Sequence, residues 1–479
     1  MRAVTRSAVG AARHHGRVRQ ALLRPLLAVV LGALLAGCAV PVVGRASPGP
    51  GQPVDVAAAQ LPITGAGDDD VDQLVRNALA DITTFWDQSL PAAYGRTLRP
   101  LHGGVFSVDS RHLDPNAYPG TGIGCAGHPV DPGETEDNAF YNPRCDAIAY
   151  DRALLAQLTK DHGRALAPIV LAHEFGHAVQ GRVGFSEDGG SIVDETQADC
   201  FAGAWTAWVI GGHAQHVAIR LPQLDDVLRG YLGLSDPVGT DPSADQAHGS
   251  FFDRVSAFSD GYDRGVTTCR DDFGPDRVFT AASFSGSDAL SNGNEPYPDT
   301  IDLVDRTLPS FWNGVFSQSF GKSFAQPTIT AFTASPPSCL ASGSTTRELG
   351  WCASDKTVYY DERDLTRPAY DRIGDWAVAT AISLPYAEAA RAELGRSTDD
   401  AAATRSAVCL TGWYTARVFD KAFSPVELSP GDVDEAVEFL LAYGVQDDVF
   451  PNTHATGFEL LRAFRDGFLQ GGKACDVGL

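Results

Sequence analysis

Positive charge is scarce in this 479-residue chain. Lys and Arg together number 37 against 60 Asp and Glu, for a formal charge of −23. Six of the Arg fall within residues 1–24, where there is no acid, so a chain lacking residues 1–37 moves from −23 to −29. A surface of that sign argues against nucleic acid or anionic lipid as a partner. Met occurs once and Arg greatly outnumbers Lys, biases without functional content. None of the nine Cys forms a CxxC pair, so no cysteine-pair metal site is expected. Long apolar runs are missing too. The segment from Leu26 is the one near membrane length, and it falls short of the roughly 20 residues a span needs. What remains is 44% hydrophobic, enough for proper cores in a chain of two or three domains.

The amino-terminal apolar run reads as an export signal. Basic residues precede Leu26–Ala36, and Leu35-Ala36-Gly37-Cys38 resembles a bacterial lipobox. Cleavage before Cys38 would leave a lipidated amino terminus. Ser47 to Pro53, rich in Pro and Gly, then reads as a flexible tether. The expected location is the extracytoplasmic side of the cell membrane, held by the lipid.

The chemistry-bearing segment is His173-Glu174-Phe175-Gly176-His177. On a helix, positions i and i+4 share a face, so both imidazoles can reach one ion while Glu174 acts on a water beside it. Ile169–Ala172 before it and Ala178-Val179 after it make the helix apolar nearly all round, hence buried. Eighteen residues past His177 stand Glu195 and Asp199, again at i, i+4. Ser191 to Asp194 resembles a capping box for their helix. A catalytic zinc needs three protein ligands and one open position. His173, His177 and Glu195 would supply them, with Asp199 accepting a hydrogen bond from a ligand histidine. The spacing equally permits Asp199 as ligand and Glu195 as support. A metzincin pattern is excluded, because Gln180 and Val183 stand where it needs Gly and His.

His173–Gln180 (HEFGHAVQ), Gln197–Ala204 (QADCFAGA) and His248-Gly249-Ser250 before a Phe/Arg-rich helix resemble, over residues 70–275, the neutral zinc metallopeptidases of bacteria, and among them the lipoprotein peptidases of mycobacteria. The resemblance implies a zincin-like fold of the gluzincin kind, one Zn²⁺ per chain on His173, His177 and Glu195, and Glu174 as catalytic base. It names no substrate.

The same order of features occurs twice. Cys200–Val209 echoes Cys409–Val418, Phe85-Trp86 echoes Phe311-Trp312, and Ala147–Asp151 echoes Thr357–Asp361. His248 precedes Cys269 by the spacing at which His454 precedes Cys475, with Phe258 and Phe464 between them. Counted by the spacing of Cys200 from Cys409, His173 falls on Ile382, Glu174 on Ser383, Tyr386 on the second histidine, Glu195 on Thr404 and Asp199 on Val408. The second copy has lost every metal-binding group, and Pro385 sits inside its counterpart helix, where it removes a backbone bond. His248, whose partner persists beside that vacated site, is a candidate for transition-state stabilisation or for a structural role. With Cys38 assigned to the signal, the pairing that repeats in both copies is Cys125–Cys145 with Cys200–Cys269, then Cys339–Cys352 with Cys409–Cys475.

The expected organisation is a signal at 1–37, a tether at 38–65, a metallopeptidase domain at 66–275, a connector at 276–298 and a degenerate copy at 299–479. The fold class is α+β, helix-dominated and zincin-like, duplicated in tandem. Helices are predicted near 70–86, 166–181, 194–211 and 248–264, and Trp205, Trp208, Trp376 and Trp413 are predicted core. Two functions follow. One is a cell-envelope zinc endopeptidase acting on protein or peptide. The other is a membrane-tethered binding or assembly protein whose second half recruits a partner. The intact Glu174 favours the first, since a scaffold does not need it.

Overall fold

In a computed structural model, the structure describes residues 58–479 other than 121, 126, 186–189, 275, 287, 343–344 and 451–454. The export signal, Cys38, most of the tether and His454 lie outside the described residues. No described helix is long and apolar enough to cross a membrane.

The fold is α+β and helix-dominated. Helices of more than ten residues are numbered here. In chain order come α1 (Asp70–Tyr94), β1 (Gly104–Val108), β2 (Ala139–Asn142), β3 (Ala147–Asp151), α2 (Arg152–His162), α3 (Leu166–Val183), α4 (Gly190–Ile210), α5 (Leu224–Leu234) and α6 (Phe251–Arg264). The second half continues with α7 (Tyr297–Val315), β4 (Thr328–Phe332), β5 (Leu349–Cys352), β6 (Thr357–Asp361), α8 (Asp375–Glu393), α9 (Ala401–Phe419), α10 (Asp432–Ala442) and α11 (Gly457–Gln470). One expectation is corrected. Helix α4 already begins at Gly190, so Ser191 is inside it and does not cap it. Helix α8 runs unbroken through Pro385. Its surroundings are apolar on every side, with Ile382, Leu384 and Tyr386 fully buried, and that packing outweighs the roughly 3 kcal/mol a helical proline costs.

Each half carries one small mixed sheet of the same pattern. β1 pairs in parallel with β3, and β2 pairs antiparallel on the other side of β3. β4, β6 and β5 repeat that arrangement. In each half the last strand ends in an Asp whose carboxylate caps the next turn, Asp151 onto Ala153 N–H and Asp361 onto Arg363 and Asp364 N–H. Helix packing repeats as well. A Cβ on Gly203 would stand 1.9 Å from the Phe258 carbonyl oxygen, and one on Gly412 would stand 2.0 Å from that of Phe464. Gly261 and Gly467 meet the carbonyls of Cys200 and Cys409 with the same closeness. Only glycine permits such contact, so α4 on α6 and α9 on α11 share one register. Phe85–Trp86 and Phe311–Trp312 are edge-to-face pairs at 5.2 and 5.1 Å. The four expected cysteine pairs are at disulfide distance, with Cα separations of 5.2–5.9 Å. That is compatible with an exported protein.

The halves share one hydrophobic core, which includes Trp205 and Trp376, with Trp208 and Trp413 packed at its edge. At their junction each half caps a helix of the other. Asp434, in the first turn of α10, accepts Phe251 and Phe252 N–H of α6 at 3.2 and 2.8 Å. Asp225, in the first turn of α5, accepts Gly457 and Phe458 N–H of α11 at 2.8 and 2.9 Å. Counted by the spacing of Cys200 from Cys409, Asp225 and Asp434 are the same position. Arg465 adds a buried ion pair to Asp260 and a 2.8 Å bond to Ser256.

Candidate metal centre

Helices α3 and α4 bring the expected residues together. Gly176 makes this possible: a Cβ there would lie 3.1 Å from Ala198 Cα, so glycine lets α4 sit close against the motif. His173, Glu174 and Asp199 are buried, and Glu195 and His177 are slightly open. His173 Nδ1 lies 2.8 Å from Asp199 Oδ1, and His177 Nδ1 lies 2.8 Å from Gln180 Oε1. Both partners are acceptors, which assigns the proton of each ring to Nδ1 and leaves both Nε2 lone pairs free. Those Nε2 atoms are 3.1 Å apart, and Glu195 Oε2 stands 3.2 and 3.4 Å from them. Three acceptors converge with no donor among them, which is the electronic description of a cation site. Glu195 joins the histidine Nε2 atoms, whereas Asp199 stands behind His173.

Burial disfavours a charged His173 ring, but Asp199 outweighs it and the pKa is pushed up to about 10. His177 is likewise raised by Glu195 against burial. Burial would raise Glu195, yet both histidines hold it well below the carboxylate range. Asp199 is held low by Arg254 and His173, again against burial.

Glu174 faces the sheet. Its Oε2 accepts Tyr141 N–H at 2.9 Å. Tyr141 lies on β2, the edge strand, so the unpaired edge of β2 looks onto α3. Burial raises the Glu174 pKa, opposed by the two histidines. His248 sits at the rim, its ring half exposed, with Nε2 3.9 Å from Glu195 and Nδ1 3.2 Å from Asp236.

Sequence reasoning missed the supports. Arg254 of α6 grips Asp199 with two bonds of 2.8 and 3.0 Å and lies over the Tyr231 ring. Gln180 donates to Asp194 O and to Gln197 Oε1, and Gln197 donates to Cys269 O. Asp236 binds His248 by ring and backbone. The available signal was Arg254 itself, a cation beside Asp253 in the Phe-rich run Phe251 to Phe258. In the second half its counterpart, counted by the spacing of Cys269 from Cys475, is Leu460. Leu460 and Val408 are both fully buried, so apolar side chains stand at both positions.

No family model matches the chain, and no solved structure matches it. It is similar to uncharacterized proteins of Mycobacterium bovis (Mb2605) and Mycobacterium tuberculosis (Rv2575), at 28% identity over 32% of this chain and 59% of the relative in each case. The chain thus matches less than two thirds of these relatives' length.

Proposed function

We propose that this protein is a cell-envelope zinc-dependent endopeptidase with one Zn²⁺ held by His173, His177 and Glu195, in a zincin-like unit followed by a degenerate copy of itself. The convergence of three acceptor atoms, with both histidine Nδ1 positions tied to acceptors, carries the reading. When bound, the zinc would polarise a carbonyl and lower the pKa of a water. Glu174, oriented by Tyr141 N–H and raised in pKa by burial, takes a proton from that water and delivers it to the leaving amine. Asp199 fixes the His173 ring, and Arg254 keeps Asp199 ionised. The open edge of β2 beside Glu174 suits an extended peptide, which can add to a strand edge, better than a compact small molecule. His248 reaches the rim and remains available to a developing negative charge.

The reciprocal caps, paired sheets and matched glycine contacts support the duplication. The exchange of Asp199 and Arg254 for Val408 and Leu460 supports a second copy kept for packing alone. Export and lipid attachment at Cys38 rest on the sequence of residues 1–38.

Glu174→Gln tests the chemistry. It keeps shape but takes up no proton, so the variant should retain about one zinc per chain and lose hydrolysis of a denatured protein by roughly 10²–10⁴-fold. Undiminished cleavage by this variant would sink the mechanism. A zinc-free wild type would sink the metal assignment.

A further inference from the structure

The second half holds a cluster of three buried acids for which the zinc centre has no use. Asp375 opens α8, and Asp432 and Glu435 lie in the first turn of α10. Their exposures are 4%, 3% and 8%, and one oxygen of each lies within 4.8 Å of the others. Each carboxylate is fixed by a backbone N–H. Glu295 donates to Asp375 Oδ2 at 2.9 Å, Ser429 to Asp432 Oδ2 at 2.8 Å, and Trp376 to Glu435 Oε2 at 2.8 Å. The second oxygens of Asp375 and Asp432 are buried and have no hydrogen-bond partner among the described residues. Gly374 lets the backbone lie against the Glu435 carboxylate, since a Cβ there would fall 2.0 Å from Oε1. Among the described residues, no Lys or Arg forms an ion pair with any of the three.

Buried, unpartnered carboxylate oxygens are costly. Two helix amino termini relieve part of that cost, but three carboxylates this close demand protons or a cation. A single proton between two of them leaves the third unrelieved. The donor set is all oxygen, which selects a hard divalent ion over zinc. A cavity of about 640 Å³, lined by Glu295, Ser429 and Gly431 among others, lies against the segments that donate to Asp375 and Asp432, without being lined by the three acids themselves. We propose that Asp375, Asp432 and Glu435 form a second, structural cation site for Ca²⁺, independent of the histidine centre. It is not a relic of the duplication: counted by the spacing of Cys200 from Cys409, the first half has Leu166, Gln223 and Asp226 at these positions. Its place suggests its work. Asp434, between two of the ligands, caps α6, and α6 carries Arg254. A cation there clamps the start of α10 and with it the junction of the halves.

The test uses the purified full chain at pH 8 with CaCl₂ as probe. Millimolar Ca²⁺ should raise Tm by a few degrees, calorimetry should count one Ca²⁺ per chain, and Mg²⁺ should do less. His177→Ala, aimed at the zinc, should keep the Ca²⁺ response, so the two sites fail separately. Asp432→Asn with Glu435→Gln should abolish it while remaining folded without Ca²⁺, because the like charges are gone. If that double variant does not fold, Tb³⁺ luminescence sensitised by Trp376 in wild type, and its loss in Glu435→Gln, serves instead. Absence of any Ca²⁺ effect on Tm or heat at 10 mM overturns the site, since protons then fill it. A Ca²⁺ response that survives in both variants overturns the ligand assignment.

Discussion

Removing one carboxylate at the junction should be felt at the metal centre, whereas removing its counterpart should not. Asp434→Ala takes the acceptor from Phe251 and Phe252 N–H. A lost helix cap costs about 1 kcal/mol, and a buried donor left unpaired costs about 1–3 kcal/mol. Two effects reduce the sum. Asp434 lines the junction cavity, so water can replace one bond. Burial also pushes its pKa up to about 7, so removing it relieves a desolvation cost. The net expectation is about 2 kcal/mol. Asp225→Ala removes the matching cap from α11, but Asp225 is half-buried and its site is easily rehydrated, so about 1 kcal/mol is expected. The two variants part in function. Helix α6 carries Arg254, which holds Asp199, which holds His173; α11 carries no site residue. Asp434→Ala should therefore weaken zinc about tenfold, at the low end of losses seen when a ligand's support is disturbed. Asp225→Ala should leave zinc affinity within twofold. Denaturant midpoints by near-ultraviolet circular dichroism measure the stabilities, and competition with a chromophoric chelator measures the affinities. If both variants weaken zinc alike, or if Asp434→Ala costs stability and leaves zinc untouched, the coupling through α6 is wrong.

Two further tests follow from burial and charge. Arg254→Leu leaves the Asp199 carboxylate buried beside a histidine alone and should cost about 3–5 kcal/mol. Adding Asp199→Val, which copies Val408 and Leu460, should restore most of that stability while zinc stays roughly 10–100-fold weaker; a double variant no more stable than the single one would refute the apolar-exchange argument. The acid cluster sets a pH trend for protein free of Ca²⁺. Burial, only partly offset by backbone bonds, raises Asp375 from 3.8 to about 6, and burial with mutual repulsion raises Asp432 and Glu435 further. Between those limits the folded state holds protons that the unfolded state has released, so stability should fall as pH climbs from about 4 through 6. A Tm that rises across that window would contradict the assignment.

How much of this was legible beforehand depended on whether a signal was local. The i, i+4 spacing of His173 and His177 and of Glu195 and Asp199 is a property of one helix each, and both pairs lie as that spacing requires. Paired spacings also gave the disulfides, because the same separations occur twice. The choice between Glu195 and Asp199 was not readable, since it depends on how α4 rolls against α3, and Gly176 against Ala198 sets that. Ser191 misled as a cap because an S-x-x-D pattern has the same letters inside a helix as at its start. The roles of Arg254, Asp434 and the Asp375 cluster were not readable for one reason: their partners come from segments far away in sequence.

That last group also ties the two halves together, because their helix caps are exchanged across the junction. Phe252 of α6 packs edge-to-face against Phe468 at 5.0 Å, and Phe258 packs against Phe458 at 6.2 Å. Helix α6 is therefore built from both halves: its start is capped by Asp434, its outer face is covered by α11, and its inner face presents Arg254 to Asp199. Counted by the cysteine spacings, Val408 and Leu460 stand where the first half has Asp199 and Arg254, and the second half offers α6 a cap and an aromatic surface. The first half carries His173, Glu174, His177 and Glu195, and the second half caps the start of the helix whose Arg254 holds Asp199 behind His173.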